Sequence, residues 1–168
     1  RRLRDYNLRE WLAADPLRHR AKRLRNLAIL AAYRQQKVEG HAQLITSLAE
    51  AAKGNAVVGA VAFNSRRTIE WLVEGVAAHA SGELLGGCDN SPVEPARREI
   101  AAVGRAHGVP YVSLPTPPLA SVLRTNPSLS HGVALTWIFH HLVRPLAPPA
   151  FAFVDHDLIP VSRFDIRG

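Results

Sequence analysis

In the first quarter of the chain, apolar residues recur at the spacing of a helix. The first predicted helix begins at Asp15, an N-cap residue type, followed by Pro16 at the first helical position, and Gly40 marks the end of this segment. Basic residues form one side of the helix, and its apolar side consists of Leu17, Ala21, Leu24, Ala28 and Ala31. A second, shorter helix is predicted over residues 41–53.

From residue 56 onward, short apolar runs alternate with helical patterns. The predicted elements are strand 56–63, helix 68–80, strand 84–88, helix 96–107, strand 111–114, helix 130–143 and strand 150–154. The first and last runs are apolar at every position, which is typical of strands buried on both faces of a parallel sheet. This order predicts an α/β domain with a mainly parallel sheet and flanking helices over residues 55–168, preceded by a basic helical extension over residues 1–54.

The positive charge lies almost entirely in the N-terminal part. Residues 1–40 contain eleven Lys and Arg against four Asp and Glu, which accounts for the net charge of +7, while residues 41–168 contain ten of each. A basic arm of this kind favours an anionic membrane surface or another acidic partner, with nucleic acid the less favoured candidate. The ordinary alternative is a solvated helix face.

The overall composition is that of a globular protein. The chain has 168 residues, of which 47% are hydrophobic and 21% charged, and no window is apolar enough to predict a membrane-spanning helix. The single cysteine, Cys88, excludes an internal disulfide, and no secretory signal is visible, so a cytoplasmic location, peripheral to a membrane at most, is the expectation. The chain has no methionine, and we expect it to be a cleaved product or a fragment of a longer protein.

The sharpest chemical motif is Asp155-His156-Asp157, which follows the last predicted strand. Two carboxylates separated by one residue can approach one hard cation, and oxygen ligands suit Mg²⁺ or Mn²⁺. Carboxylates directly after a buried strand also need some compensation, because their burial is costly. The alternative is a pair of solvated turn aspartates.

Polar residues also follow the other strands. The carboxyl ends of parallel strands form one edge of a sheet, where ligands bind, so this rule brings together Asn64, Asp89, Ser91, His131 and the Asp155/Asp157 pair. For Asp89 and Ser91 the alternative is an Asx turn, and for Asn64 it is the N-cap of the following helix. The signatures of Rossmann, P-loop and α/β-hydrolase proteins are absent, and the histidine spacing does not favour zinc.

Four segments of the chain, in this order, resemble a known series of sequence motifs. They are VVGAVAFN at 57–64, CDNS at 88–91, SHGVAL at 130–135 and FVDHD at 153–157. The series is similar to the N-terminal, donor-binding half of the GT-A nucleotide-sugar glycosyltransferases, specifically the inverting family 2-like group. The chain departs from that family at Ser91, which comes one residue early and is followed by Pro92.

The resemblance implies a metal-dependent transferase that binds a nucleotide-diphosphate sugar and passes the sugar to an unknown acceptor. It implies that Asp155 and Asp157 bind the cation and that Asp155 also lies at the sugar nucleotide. It further implies that Asp89, with Ser91 and Asn64 nearby, contacts the nucleoside, and that His131, at a helix start, contacts the diphosphate. The acceptor site and the general base are expected beyond residue 168. The alternatives are a non-catalytic binding or scaffold domain of the same fold, with its basic arm on RNA or an anionic membrane, and a nucleotidyltransferase.

Overall fold

A four-stranded parallel sheet lies at the centre of the fold. The computed structural model describes residue 9 and residues 16–167. The strands are β1 (Val57–Ala62), β2 (Leu84–Asp89), β3 (Tyr111–Ser113) and β4 (Phe151–Asp155). Their order across the sheet is β3-β2-β1-β4, and every neighbouring pair is parallel. The predicted α/β class, with a parallel sheet preceded by helices, is confirmed.

Helices connect the strands and precede the first of them. They are α1 (Pro16–Tyr33), α2 (His41–Ala52), α3 (Arg66–His79), α4 (Glu94–His107), α5 (Ala120–Arg124), α6 (Pro127–Ile138) and α7 (Arg144–Leu146), with a π-helical turn (Phe139–Val143) between the last two. The predicted N-cap Asp15 lies outside the described residues. Within residues 16–167, none of the helices is both long and apolar enough to cross a membrane.

Helices cover both faces of the sheet at its central strand, β1. Every residue of β1 is buried. Alternate residues of β1 face opposite sides: Val58 packs in a cluster with α3 and α4, and Val61 packs in a second cluster with α1, α2 and α6. A strand with helices on both sides has no face for polar residues, so it has the continuous apolar pattern seen in the sequence. The expectation that the last apolar run is buried on both faces is wrong, because β4 lies at the edge of the sheet and is half-buried with both end residues exposed.

The N-terminal helices belong to the second of these clusters. Ile29, Tyr33 and Leu48 are buried there together with Trp137 of α6. The Tyr33 hydroxyl donates to the Pro115 carbonyl oxygen at 2.9 Å. The division into a 1–54 extension and a 55–168 domain stays a prediction, but α1 and α2 share one hydrophobic cluster with the sheet.

The apolar side of α1 in the sequence is not the side that packs on the core. Ala21, Leu24, Ala28 and Ala31, which form the apolar pattern in the sequence, are exposed, and Ile29 and Tyr33 are the buried residues. The two larger side chains bury more apolar area than an alanine-rich face. The spacing of apolar residues therefore located a helix side that points away from the core.

His141 connects α1 to the π-helical turn. Its ring is buried and stacked on Trp137, with ring centroids 4.6 Å apart, and its Nε2 lies 2.8 Å from the Arg34 carbonyl oxygen. A carbonyl oxygen only accepts, so Nε2 carries the proton. Burial is the main cause that lowers the pKa of His141; the hydrogen bond to the Arg34 carbonyl oxygen partly opposes this, and the charges of Lys37 and Arg34 lower the pKa further.

We expect this histidine to make the fold less stable in acid. Because its pKa is lower in the folded than in the unfolded chain, the unfolded chain binds more protons as the pH falls below about 6.5. The free energy of unfolding should therefore decrease below that pH and level off once the folded-state pKa is passed. Chemical denaturation across this range would measure the effect. The variant His141→Gln should show a shallower pH dependence, whereas His107→Gln, an exposed control, should keep the original slope.

Candidate functional site

The strand order reverses between β1 and β4. From β1 the chain adds β2 and then β3 on one side, and β4 then pairs with the opposite side of β1. In open parallel sheets, ligands bind in the crevice at the carboxyl ends of the strands where the order reverses. The register pairs Val61 of β1 with Asp155 of β4, and Ala62 of β1 with Asp89 of β2. The predicted site residues therefore follow strands that meet at this edge.

Asp155 ends β4 and Asp157 lies in the turn that follows, and both are exposed. The backbone N–H of Leu158 donates to the Asp155 carbonyl oxygen at 3.0 Å, so the turn closes through backbone atoms. The side chain of Asp155 is 64% exposed, and Asp157 is also exposed. Among residues 16–167, neither carboxylate accepts a backbone N–H. The turn is real, but the carboxylates themselves do not stabilise it.

His131 lies against Asp155. Its Nε2 is 3.2 Å from Oδ1 of Asp155, and its own side chain is 39% exposed. The pair joins the second turn of α6 to the end of β4. The second oxygen of Asp155 is left for other partners, because only Oδ1 contacts the ring.

The predicted start of α6 is wrong. The helix begins at Pro127, and the side chain of Asn126 caps it by accepting the Leu129 N–H at 3.1 Å. Ser130 is therefore not the cap, and His131 does not lie among the free N–H groups of a helix start. Asn126 and Pro127 would break a helix in its interior, yet asparagine caps helices and proline fits their first position.

Asn64 makes the bend after β1. Its backbone has a φ of 55°, in the left-handed region that asparagine tolerates better than most residues. Its side chain is exposed, and its backbone N–H donates to Oγ of Ser91 at 2.8 Å. The predicted N-cap role of Asn64 is wrong, because Ser65 caps α3 by accepting the Thr68 N–H at 3.4 Å.

Asp89 is buried, and its carboxylate is used within the chain. Its Oδ1 accepts the Ser91 N–H and its Oδ2 accepts the Tyr111 hydroxyl, both at 2.8 Å. Ser91 is buried as well. The first contact is that of an Asx turn, which was the alternative considered for this segment. In this conformation neither Asp89 nor Ser91 presents a side-chain oxygen to a ligand at the surface.

Two residues that the sequence did not single out complete this buried network. Arg97 of α4 donates from Nε to the Ser91 carbonyl oxygen at 2.6 Å and from a terminal nitrogen to Oγ of Ser113 at 2.8 Å. Burial and the hydrogen bond to Asp89 raise the pKa of Tyr111, so its hydroxyl stays protonated and donates. No spacing in the sequence relates these residues, because the contacts form only when α4 and β3 pack beside β2.

The edge therefore divides into a buried and an exposed set. Asp89 and Ser91 are buried and stabilise the turn after β2 through their hydrogen bonds. The side chains that remain available to a ligand are Asn64, His131, Asp155 and Asp157.

The exposed carboxylates fit a hydrated cation better than a protein-enclosed one. Within the described part of the chain, no group of three His, Cys, Asp or Glu side chains is close enough to bind a metal ion by itself. Asp155 and Asp157 are two exposed carboxylates at this turn. Mg²⁺ and Mn²⁺ suit such a site, because they commonly bind one or two carboxylates and complete their shells with water and phosphate oxygens.

Comparison with known proteins gives no significant match: no family model, no curated protein and no solved structure is similar to this chain at a significant level.

Proposed function

We propose that this chain is the donor-binding part of a metal-dependent glycosyltransferase. It would bind a nucleotide-diphosphate sugar through a divalent cation and present the sugar to an acceptor. The proposal stands on the position of Asp155-His156-Asp157 and on the resemblance of four segments to the GT-A family.

One observation carries the proposal. β4 pairs directly with β1, so the Asp155 turn lies at the point where the strand order reverses. A chance Asp-x-Asp sequence has no reason to occur at this particular edge. Its exposure, and the absence of a stabilising role for its carboxylates in the described residues, also favour a binding role.

The exposed residues have distinct roles in this proposal. Asp155 and Asp157 bind the cation, and Oδ1 of Asp155 is kept in place by His131 at 3.2 Å. This replaces the direct diphosphate contact expected for His131. Asn64, exposed after β1, faces the nucleoside side of the crevice, while Asp89 acts indirectly through Ser91, whose hydroxyl accepts the Asn64 N–H.

The reaction requires charge neutralisation at the leaving group. An acceptor oxygen forms a bond to the anomeric carbon, the bond from that carbon to the diphosphate breaks, and the nucleoside diphosphate leaves with the electron pair. The acceptor hydroxyl loses its proton to a general base, which we do not assign to a described residue. A bound divalent cation would act as a Lewis acid on the leaving diphosphate.

Nucleoside diphosphate binding should depend on a divalent cation. Without one, the charges of the diphosphate and of Asp155 and Asp157 repel each other. Calorimetric titration with uridine and guanosine diphosphate should show at least about tenfold tighter binding of one of them in Mn²⁺ than in chelator. The parent nucleoside is the matched control, since it lacks the diphosphate and should not respond to the metal.

Other outcomes would favour the alternatives. Equal affinity for the diphosphate in Mn²⁺ and in chelator would contradict the metal role. A clear preference for nucleoside triphosphates would favour a nucleotidyltransferase, and binding of no nucleotide would favour a scaffold domain.

A further inference from the structure

An apolar stripe runs along the side of α1 that faces away from the core. It consists of Leu24, Leu27, Ala28 and Ala31, which we call the outer stripe; their spacing places them on one side of a helix. All four residues are exposed, and the two leucines are 59% and 51% exposed. Ile29 and Tyr33 occupy the opposite, buried side, so the outer stripe is not needed to attach α1 to the core.

Three arginines lie beside the stripe. By helical spacing Arg20 lies in line with it and Arg23 and Arg25 flank it, whereas Lys22 lies toward the buried side of the helix. Helix α1 contains no acidic residue, and its Lys and Arg residues are Arg18, Arg20, Lys22, Arg23 and Arg25. Every residue from 19 to 25 is exposed. The leucines thus lie beside three arginines, with no carboxylate on the same helix to neutralise their charge.

We infer that the outer stripe of α1 docks on an anionic membrane surface. An interfacial helix lies in the plane of the bilayer with leucines below the headgroups and with Lys and Arg at the level of anionic lipids. The long arginine side chains can reach the headgroups while their methylene groups cover the apolar stripe. This inference is independent of the proposed sugar-nucleotide site.

The exposed leucines of the outer stripe favour a membrane over nucleic acid as the partner. Phosphate groups of RNA would attract the arginines, but exposed leucines would gain nothing from a solvated phosphate backbone. A bilayer uses both components, since each basic residue gains from the surface charge and each leucine from leaving water. The inner side of α1 remains packed on Trp137 and its neighbours during such contact.

The test is co-sedimentation of the purified chain with vesicles. We expect binding to phosphatidylcholine vesicles that contain phosphatidylglycerol, little binding to phosphatidylcholine alone, and weaker binding at high salt. The variant Arg20→Gln/Arg23→Gln/Arg25→Gln should lower the partition coefficient roughly a hundredfold. The variant Leu24→Ser/Leu27→Ser should lower it about tenfold or more.

Each variant has a matched control elsewhere on the surface. Arg98→Gln/Arg105→Gln/Arg124→Gln removes the same charge from exposed positions outside α1, and Leu158→Ser/Val161→Ser removes two exposed apolar side chains near the C-terminus. Both controls should bind vesicles like the original chain. All substituted positions are exposed, so thermal melting should be nearly unchanged.

Three results would overturn the inference. One is that the charge control loses as much binding to anionic vesicles as the α1 charge variant does. This would mean a nonspecific effect of net charge. Another is that the arginine variant loses vesicle binding while the leucine variant keeps it, and the original chain is retained on RNA. This result would assign the helix to nucleic acid. The third is no binding to anionic vesicles at all.

Discussion

Replacing Asp89 with Ala is expected to lower the free energy of unfolding by about 3 kcal/mol, because one buried and one half-buried donor lose their acceptor, and an unsatisfied buried donor costs roughly 1–3 kcal/mol. The donors are the Ser91 N–H and the Tyr111 hydroxyl. Tyr111 has a partial alternative in the Arg97 carbonyl oxygen at 3.3 Å. The Ser91 N–H has none among the hydrogen bonds of the described residues, so the loss at the turn is the larger part. Urea denaturation would measure the change.

The variants Asp89→Asn and Tyr111→Phe serve as controls. Asparagine keeps one oxygen for the Ser91 N–H, so its cost should be closer to about 1 kcal/mol, and so should that of Tyr111→Phe. The double variant should cost less than the sum of the two, because both remove the same hydrogen bond. A stability loss for Asp89→Ala no larger than that for Asp89→Asn would contradict the buried network.

The same variants separate a supporting role from a ligand contact. If Asp89 acts only through the loop, Asp89→Asn should bind nucleoside diphosphate nearly as well as the original chain. Loss of nucleotide binding in a fully stable Asp89→Asn protein would instead favour the direct nucleoside contact expected from the sequence.

The sheet could be predicted from the sequence because burial on two faces leaves a simple pattern. In β1 every position from Val57 to Ala62 is buried, so an apolar run was sufficient evidence of the strand. The carboxyl-edge rule then placed Asp155 near the end of β1 without any knowledge of the strand order. The observed pairing of Val61 with Asp155 agrees with that placement.

Details that depend on tertiary contacts could not be predicted in this way. The expected cap of α3 was Asn64, but Asn64 makes the bend after β1 and the next residue, Ser65, caps the helix. The burial of Asp89 depends on Tyr111, which is distant in the sequence and becomes its neighbour through the pairing of β2 with β3. A motif in the sequence indicates which residue types lie at an edge, but not which of them face the solvent.

The apolar pattern of α1 shows the same limit of prediction from sequence. Periodicity gives the angle between residues on a helix, but it does not say which side meets the core. Tyr33 and Ile29 are buried, although Leu24 belongs to the more regular apolar pattern. A regular apolar face that does not pack on the core is therefore a feature of the molecular surface.

Changing Asp155 and Asp157 together to Asn is expected to abolish metal-dependent nucleotide binding. Amides keep nearly the size and hydrogen-bonding reach of the carboxylates but lose both charges, so the cation loses its protein ligands. The affinity for nucleoside diphosphate in Mn²⁺ should fall to the value measured in chelator. Calorimetric titration of the variant beside the original chain would measure this.

The stability of the metal-free protein should change little in this variant. Removing two neighbouring negative charges relieves their mutual repulsion, while the loss of the exposed Asp155–His131 pair costs at most about 1 kcal/mol. The net change in the free energy of unfolding should therefore stay within about 1 kcal/mol. A matched control, Glu50→Gln/Glu74→Gln, removes the same charge from exposed helix positions and should keep metal-dependent binding.

The comparison of stability with binding decides between the two interpretations of the turn. Residues that only finish a turn would leave binding unaffected, and the backbone bond from Leu158 to Asp155 would preserve the turn in the variant. If the two aspartates bind the cation, the variant would lose nucleotide binding while its melting temperature holds or rises. A double variant that still binds Mn²⁺ and nucleotide like the original chain would exclude the carboxylates as metal ligands, and with them the proposed donor site at this edge of the sheet.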